Sequence, residues 1–188
     1  DEFGNLDLDF VEEVTLRSAS PGALSGNAVV ADKGVAAFAD VAYVATVDHE
    51  DLALEANDDP TIGSVIPAKD ADLLTCDVVA DRLVFALQPA PLKTFSDEVL
   101  DFTADPVVEA LGIDDVLDVD FADQVTLTAF GPGSATYENN RVNAVGGVAD
   151  FAEMSLIYTA SGAADESFVL QADDTPAGQE GDLSVSLV

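Results

Sequence analysis

Leu6-Asp7-Leu8-Asp9-Phe10 and Leu117-Asp118-Val119-Asp120-Phe121 are one phrase written twice, at an offset of 111 between Leu6 and Leu117. The likeness continues in Val14-Thr15-Leu16 and Val125-Thr126-Leu127, then in Pro21-Gly22 and Pro132-Gly133. Gly34-Val35-Ala36-Ala37-Phe38-Ala39-Asp40 answers to Gly147-Val148-Ala149-Asp150-Phe151-Ala152-Glu153. The offset there is 113 between Gly34 and Gly147, so the second copy carries a slightly longer loop. Leu54-Glu55-Ala56-Asn57-Asp58-Asp59 aligns with Leu170-Gln171-Ala172-Asp173-Asp174, and Asp72-Leu73 with Asp182-Leu183. Blocks that recur in one order at near-constant spacing mark an internal repeat.

The copies are unequal. The second opens near Arg82 with Leu83-Val84-Phe85-Ala86-Leu87, then Gln88-Pro89-Ala90-Pro91 and the apolar run Pro106-Val107-Val108-Glu109-Ala110-Leu111. The first copy has no counterpart of these segments. The expected division is therefore 1–80, an incomplete module without its opening strands, and 81–188, a complete one.

The segments are short, alternating and rich in β-branched and aromatic residues, which predicts strands. Leu6, Leu8 and Phe10 alternate with Asp7 and Asp9 as on a half-buried strand, and Val14 and Leu16 flank Thr15 in the same way. Leu52 with Leu54, and Phe168 with Leu170, read likewise. Turn signals at Ser20-Pro21-Gly22, Asp32-Lys33-Gly34, Asp58-Asp59-Pro60, Gly131-Pro132-Gly133 and Gly146-Gly147 divide the strands. Residues 105–116 could be a helix, but the stretch is short and Gly112 interrupts it, so strand is the expectation. A short helical turn is expected near residues 95–102. Strands at such spacing predict an all-β protein of two tandem β-sandwiches.

Net charge is -31, from 37 Asp plus Glu against 6 Lys plus Arg, yet 48% of the residues are hydrophobic. That apolar content separates the chain from acidic disordered segments, and the charge belongs to a solvated surface. A field of this sign repels nucleic acid and anionic lipid, and its self-repulsion is relieved by salt or divalent cations. Neither nucleic-acid binding nor membrane insertion is expected, since no apolar run approaches the length of about 20 residues that spans a bilayer. Cys76 is the single cysteine, which excludes an intrachain disulfide.

The run from Arg82 through Gln88-Pro89, Pro106-Val107-Val108, Asp118-Val119-Asp120-Phe121, Val125-Thr126-Leu127 and Gly147-Val148-Ala149-Asp150-Phe151 resembles bacterial immunoglobulin-like tandem repeats. Such repeats occur in large secreted or surface-anchored proteins of the adhesin type. The resemblance implies an immunoglobulin-like sandwich, an extracellular location and neighbouring repeats or copies as partners. It implies a structural or adhesive role in a stalk or fibre. Two alternatives are a filament subunit assembled by strand complementation and a carbohydrate-binding module.

No residue set predicts catalysis. His49 is the only histidine, among acids in Val47-Asp48-His49-Glu50-Asp51, and the matching Ser161-Gly162-Ala163 has none. Cys76 aligns with Ser186 and has no histidine nearby in sequence. Gly-x-Ser-x-Gly and phosphate-loop patterns are absent. Tyr43, Tyr137 and Tyr158, the only tyrosines, are scattered rather than clustered as a sugar platform. Calcium is the one cofactor expected, because it takes six to eight oxygen ligands. The candidate ligands are Asp58, Asp59, Asp77 and Asp81 near the module junction, with Asp173 and Asp174 in the second copy. Asp7, Asp9, Asp118 and Asp120 form a second set, in which strand alternation would place Asp7 and Asp9 on one side.

Overall fold

The computed structural model describes residues 5–58, 69–70, 72–89, 95–100, 102–162, 164–174 and 184–187. The chain forms two compact units, Asp1–Asp77 and Val78–Val188. Every regular element among the described residues is a strand.

The first unit contains β1 (Glu13–Ser18), β2 (Ala23–Ser25), β3 (Ala28–Val30), β4 (Ala42–Val44), β5 (Glu50–Leu52), β6 (Leu54–Asp58), β7 (Lys69–Asp70) and β8 (Leu74–Cys76). They pair antiparallel as a sheet in the order β3-β1-β6-β7 and as the two-stranded pairs β2-β4 and β5-β8. The second unit contains β9 (Arg82–Leu87), β10 (Val99–Leu100), β11 (Val107–Leu111), β12 (Gln124–Phe130), β13 (Ser134–Glu138) and β14 (Arg141–Asn143). It continues with β15 (Val148–Asp150), β16 (Ser155–Thr159), β17 (Val169–Asp174) and β18 (Ser184–Leu187). Its sheets run β14-β12-β17-β18, β15-β11-β9 and β10-β16-β13.

The internal repeat extends to the pairing register. Val14 stands opposite Asp58 and Leu16 opposite Ala56; Val125 stands opposite Asp174 and Leu127 opposite Ala172. The sheet β3-β1-β6-β7 is thus the counterpart of β14-β12-β17-β18, and β2-β4 of β13-β16. The fold is all-β: two tandem immunoglobulin-like sandwich modules, the first without the opening strands that β9 and β11 supply in the second. Residues 105–116 include β11, a strand as expected. Near residue 95 a tight turn, with Asp97 at φ 66, leads into β10 where a helical turn was expected.

One strand reading and one alignment need correction. Leu6-Asp7-Leu8-Asp9 is a turn, not a strand, with Leu6 and Leu8 exposed. The Asp7 carboxylate accepts the Asp9 N–H at 3.0 Å, and Phe10 N–H donates to the Asp7 carbonyl. Short carboxylates fold back on their own backbone in this way and compete with a sheet ladder. The closing strands are also matched six residues away from the sequence alignment. Asp70 opposes Glu55 as Ser186 opposes Gln171, so Asp70, not Cys76, is the counterpart of Ser186. Cys76 lies instead on β8, opposite Glu50; Asp182 and Leu183 fall outside the described residues.

One core serves the second unit. Leu83 of β9, Val108 and Ala110 of β11, Val125 and Leu127 of β12, Phe151, Leu156 of β16 and Ala172 of β17 meet there, all fully buried. In the first unit only Ala31 and Leu52, among the described hydrophobic residues, are buried. Val14, Leu16, Phe38, Leu54 and Ala56 match Val125, Leu127, Phe151, Leu170 and Ala172, yet each is only half-buried. The sequence puts the same apolar face in both units; the second covers it with β9 and β11.

Candidate functional site

The most developed polar constellation in either unit surrounds a tyrosine. Tyr43, central in β4, accepts the Gly22 N–H at 2.9 Å and donates to the Glu50 carboxylate. Glu50 also accepts the Gly22 N–H at 3.1 Å, the Thr46 N–H at 2.8 Å and the Thr46 hydroxyl at 2.7 Å. The Tyr43 and Thr46 hydroxyls hold the Glu50 carboxyl down at about 2. Burial, reinforced by Glu50, pushes the Tyr43 hydroxyl up.

The second unit repeats the arrangement. Tyr158 in β16 accepts the Gly133 N–H at 2.8 Å and donates to Glu166 at 3.4 Å. Glu166 accepts both the backbone N–H and the hydroxyl of Ser161, and these lower its carboxyl below the ordinary range. Phe168 stacks on Tyr158 with ring centroids 4.5 Å apart. Tyrosine, hydroxyl residue and glutamate therefore recur as Tyr43, Thr46, Glu50 and Tyr158, Ser161, Glu166. Sequence reasoning missed this clamp, although its matched residues stand in both copies. Its chemistry is that of a turn lock: a carboxylate, buried as Glu50 and half-buried as Glu166, satisfies the N–H groups of a connection.

Other polar side chains do similar duplicated work. Asn27 and Asn140 each donate their side-chain N–H to a strand carbonyl, of Leu16 and Leu127, at 2.8 Å. Gly34 and Gly147 both adopt φ 81, where a Cβ would strike the carbonyl of Asp7 or Asp118. Tyr137 accepts the Ala129 N–H at 2.7 Å. All three tyrosines thus hold backbone, whereas the most exposed described aromatic ring is Phe95, at 77%.

The expected calcium ligands take different places within their units. Asp58 ends β6 opposite Val14, and Asp59 lies outside the described residues. Asp77 is exposed, with its carboxylate 3.9 Å from His49 Nε2. Asp48, His49 and Asp77 place one ligand atom each within 4.8 Å of one another. Asp81 pairs with Arg82 at 2.7 Å, and Arg82 also pairs with Asp115, the larger influence raising its pKa. Asp173 and Asp174 are consecutive in β17, so they face opposite sides of the sheet. Asp118 is buried; its Oδ1 accepts the N–H groups of Asp120 and Phe121, and its Oδ2 that of Ala80 at 2.8 Å. The strand premise that would aim Asp7 and Asp9 at one ion fails with the turn at Asp7. Cys76 is half-buried, and burial followed by the Glu50 charge raises its thiol pKa, away from a reactive thiolate.

These features define a class: tandem immunoglobulin-like β-sandwich modules whose polar groups lock turns. No protein-family model and no curated protein matches the chain. Among solved structures it is similar to a glycosyl hydrolase family 2 member from Bacteroides cellulosilyticus DSM 14838, at 12% identity and TM-score 0.37, over 95% of this chain and 23% of that one. A beta-glycosidase from Bacteroides vulgatus matches at 13% identity and TM-score 0.34, over 94% of this chain and 21% of that one. A Parabacteroides merdae beta-glucuronidase matches at 16% identity and TM-score 0.31, over 94% and 20%. The chain spans about a fifth of the length of these enzymes.

Proposed function

We propose that this chain is a non-enzymatic structural and adhesive segment of an extracellular protein, its modules setting reach and spacing in a stalk or fibre. The observation that carries the reading is duplication. Glu50 in one unit and Glu166 in the other, both with carboxyls held below the ordinary range, occupy matched positions and hold matched turns. Perturbed groups often mark catalysis, but structural networks perturb pKa values too. A group repeated in every module for the same backbone contact belongs to the scaffold. The acidic surface suits a soluble extended array, because like charge keeps neighbouring segments apart. Repeat modules of this kind act through geometry, each contacting its neighbours in series.

Labelling of the source cells with an antibody raised against this chain tests the proposal. Label on intact cells is the expected result; label only after permeabilisation overturns it. Calcium binding by the acidic groups belongs to the same proposal. It predicts that millimolar Ca²⁺ raises the melting temperature more than Mg²⁺ at equal ionic strength, and equal shifts would remove it.

A further inference from the structure

We infer that Asp48, His49 and Asp77 of the first unit form a binding site for one divalent transition-metal ion, zinc foremost, held through an imidazole nitrogen and two carboxylates. Such a site is distinct from the calcium binding proposed above, since calcium takes oxygen ligands.

The pairing of β5 with β8 brings the three side chains together. Glu50 stands opposite Cys76, so His49, which precedes β5, and Asp77, which follows β8, lie at the same end of the ladder. His49 Nε2 is 3.9 Å from an Asp48 carboxylate oxygen and 3.9 Å from one of Asp77. All three ligand atoms fall within 4.8 Å of one another. Zinc holds nitrogen and oxygen at about 2.0–2.2 Å, so the edges of its coordination tetrahedron measure about 3.4 Å. Closing the two 3.9 Å gaps therefore asks for shifts of about 0.5 Å, within reach of the exposed His49 and Asp77 side chains. A water completes the tetrahedron.

Three observations separate this set from the acidic coat around it. The first is the imidazole itself. Nitrogen favours zinc and its neighbours over Mg²⁺ and Ca²⁺, which prefer oxygen. The second is order. The Asp48 side chain is fully shielded from solvent, and its carboxylate accepts the His49 N–H at 2.8 Å. It is a fixed ligand rather than a mobile surface acid, and a carboxylate withdrawn from water gains most from a close cation. The third is that the set occurs once. The tyrosine clamp recurs in both units, yet Thr46 and Glu50 enclose Val47, Asp48 and His49, whereas Ser161 and Glu166 enclose Gly162, Ala163, Ala164 and Asp165. What both copies share belongs to the scaffold; the imidazole between two carboxylates belongs to the first unit alone. The net charge of -31 draws cations towards it.

The test uses the full 188-residue chain without a histidine tag, zinc chloride as the probe, and Mg²⁺ in large excess to occupy carboxylates that bind through oxygen alone. His49 is the only histidine, so its ring C–H resonances report on this site and no other. Saturable one-to-one binding is expected by calorimetry, with the ring resonances shifting at the same midpoint. His49→Asn keeps a side chain that tolerates φ 57 and should weaken binding at least about tenfold, as should Asp77→Asn. Both side chains are exposed, so the variants keep the fold, and unchanged amide resonances of Tyr43 and Glu50 confirm it. Absence of saturable binding at millimolar Zn²⁺ overturns the inference. So does binding that leaves the His49 ring unshifted in the unaltered chain, or equal binding by H49N or D77N. Displacement of the zinc by equimolar Ca²⁺ overturns it as well, because that marks an oxygen-only site.

Discussion

Leu16 and Leu127 occupy matched positions in matched strands, and truncating each to alanine measures the missing strands directly. Leu127 is completely buried. Removing its outer carbons forfeits about 2.4 kcal/mol at roughly 0.8 kcal/mol per methylene. The cavity left in a closed core raises the loss to about 3–5 kcal/mol. Leu16 is only half-buried, and solvent can enter the space it vacates. The cavity contribution therefore falls away, and L16A should destabilise its own unit by about 1 kcal/mol. Urea unfolding followed at resolved amide resonances reports each unit separately, which matters because a single global transition would blend them. Losses equal to within about 0.5 kcal/mol would refute the open-face argument.

Glu50 predicts acid sensitivity of the first unit. Its folded pKa of about 2 lies below the ordinary 4.5, so its contribution is full above pH 4.5 and disappears as pH falls towards 2. E50Q should flatten that acid limb in a pH series of melts; an unchanged slope would count against the tyrosine clamp. Gly147→Ala meets both φ 81 and the Asp118 carbonyl and should lose about 2–4 kcal/mol, whereas Gly146→Ala, at φ 61 with open space around it, should lose about 1. Denaturant midpoints of the two variants compare them, and equal losses would place the strain elsewhere. Raising NaCl from about 0.1 to 1 M contracts the screening length from about 10 to 3 Å. The melting temperature should climb across that range, and a fall would show that the acidic surface is not self-repelling.

The repeat was legible because its markers are backbone necessities. Pro21-Gly22 and Pro132-Gly133 make turns, and Gly34 and Gly147 take a positive φ beside a carbonyl that excludes any Cβ. Alternation served well at Val14 to Leu16 and misled at Leu6 to Phe10. There an aspartate that caps its own turn looks, in sequence, like the polar side of a strand. The closing strands were misaligned because β7 is only two residues long and offers no pattern to match. The Tyr43–Glu50 clamp escaped notice because its partners come from separate strands and loops. Its signal was nonetheless available, as three polar positions shared by both copies. The calcium candidates were chosen by their place at strand ends and near the module junction, and sequence position alone does not show which carboxylates converge.

The tyrosine–glutamate clamps lie wholly within the block that both units share; Asp118 through Ala80, and Thr159 and Ala160 through Asp97 and Ser96, reach the opening segments of the second unit. That block can therefore be assembled before β9 and β11 arrive. A unit with those pairings made and its opening strands not yet docked is then a late stage in the folding of the second module.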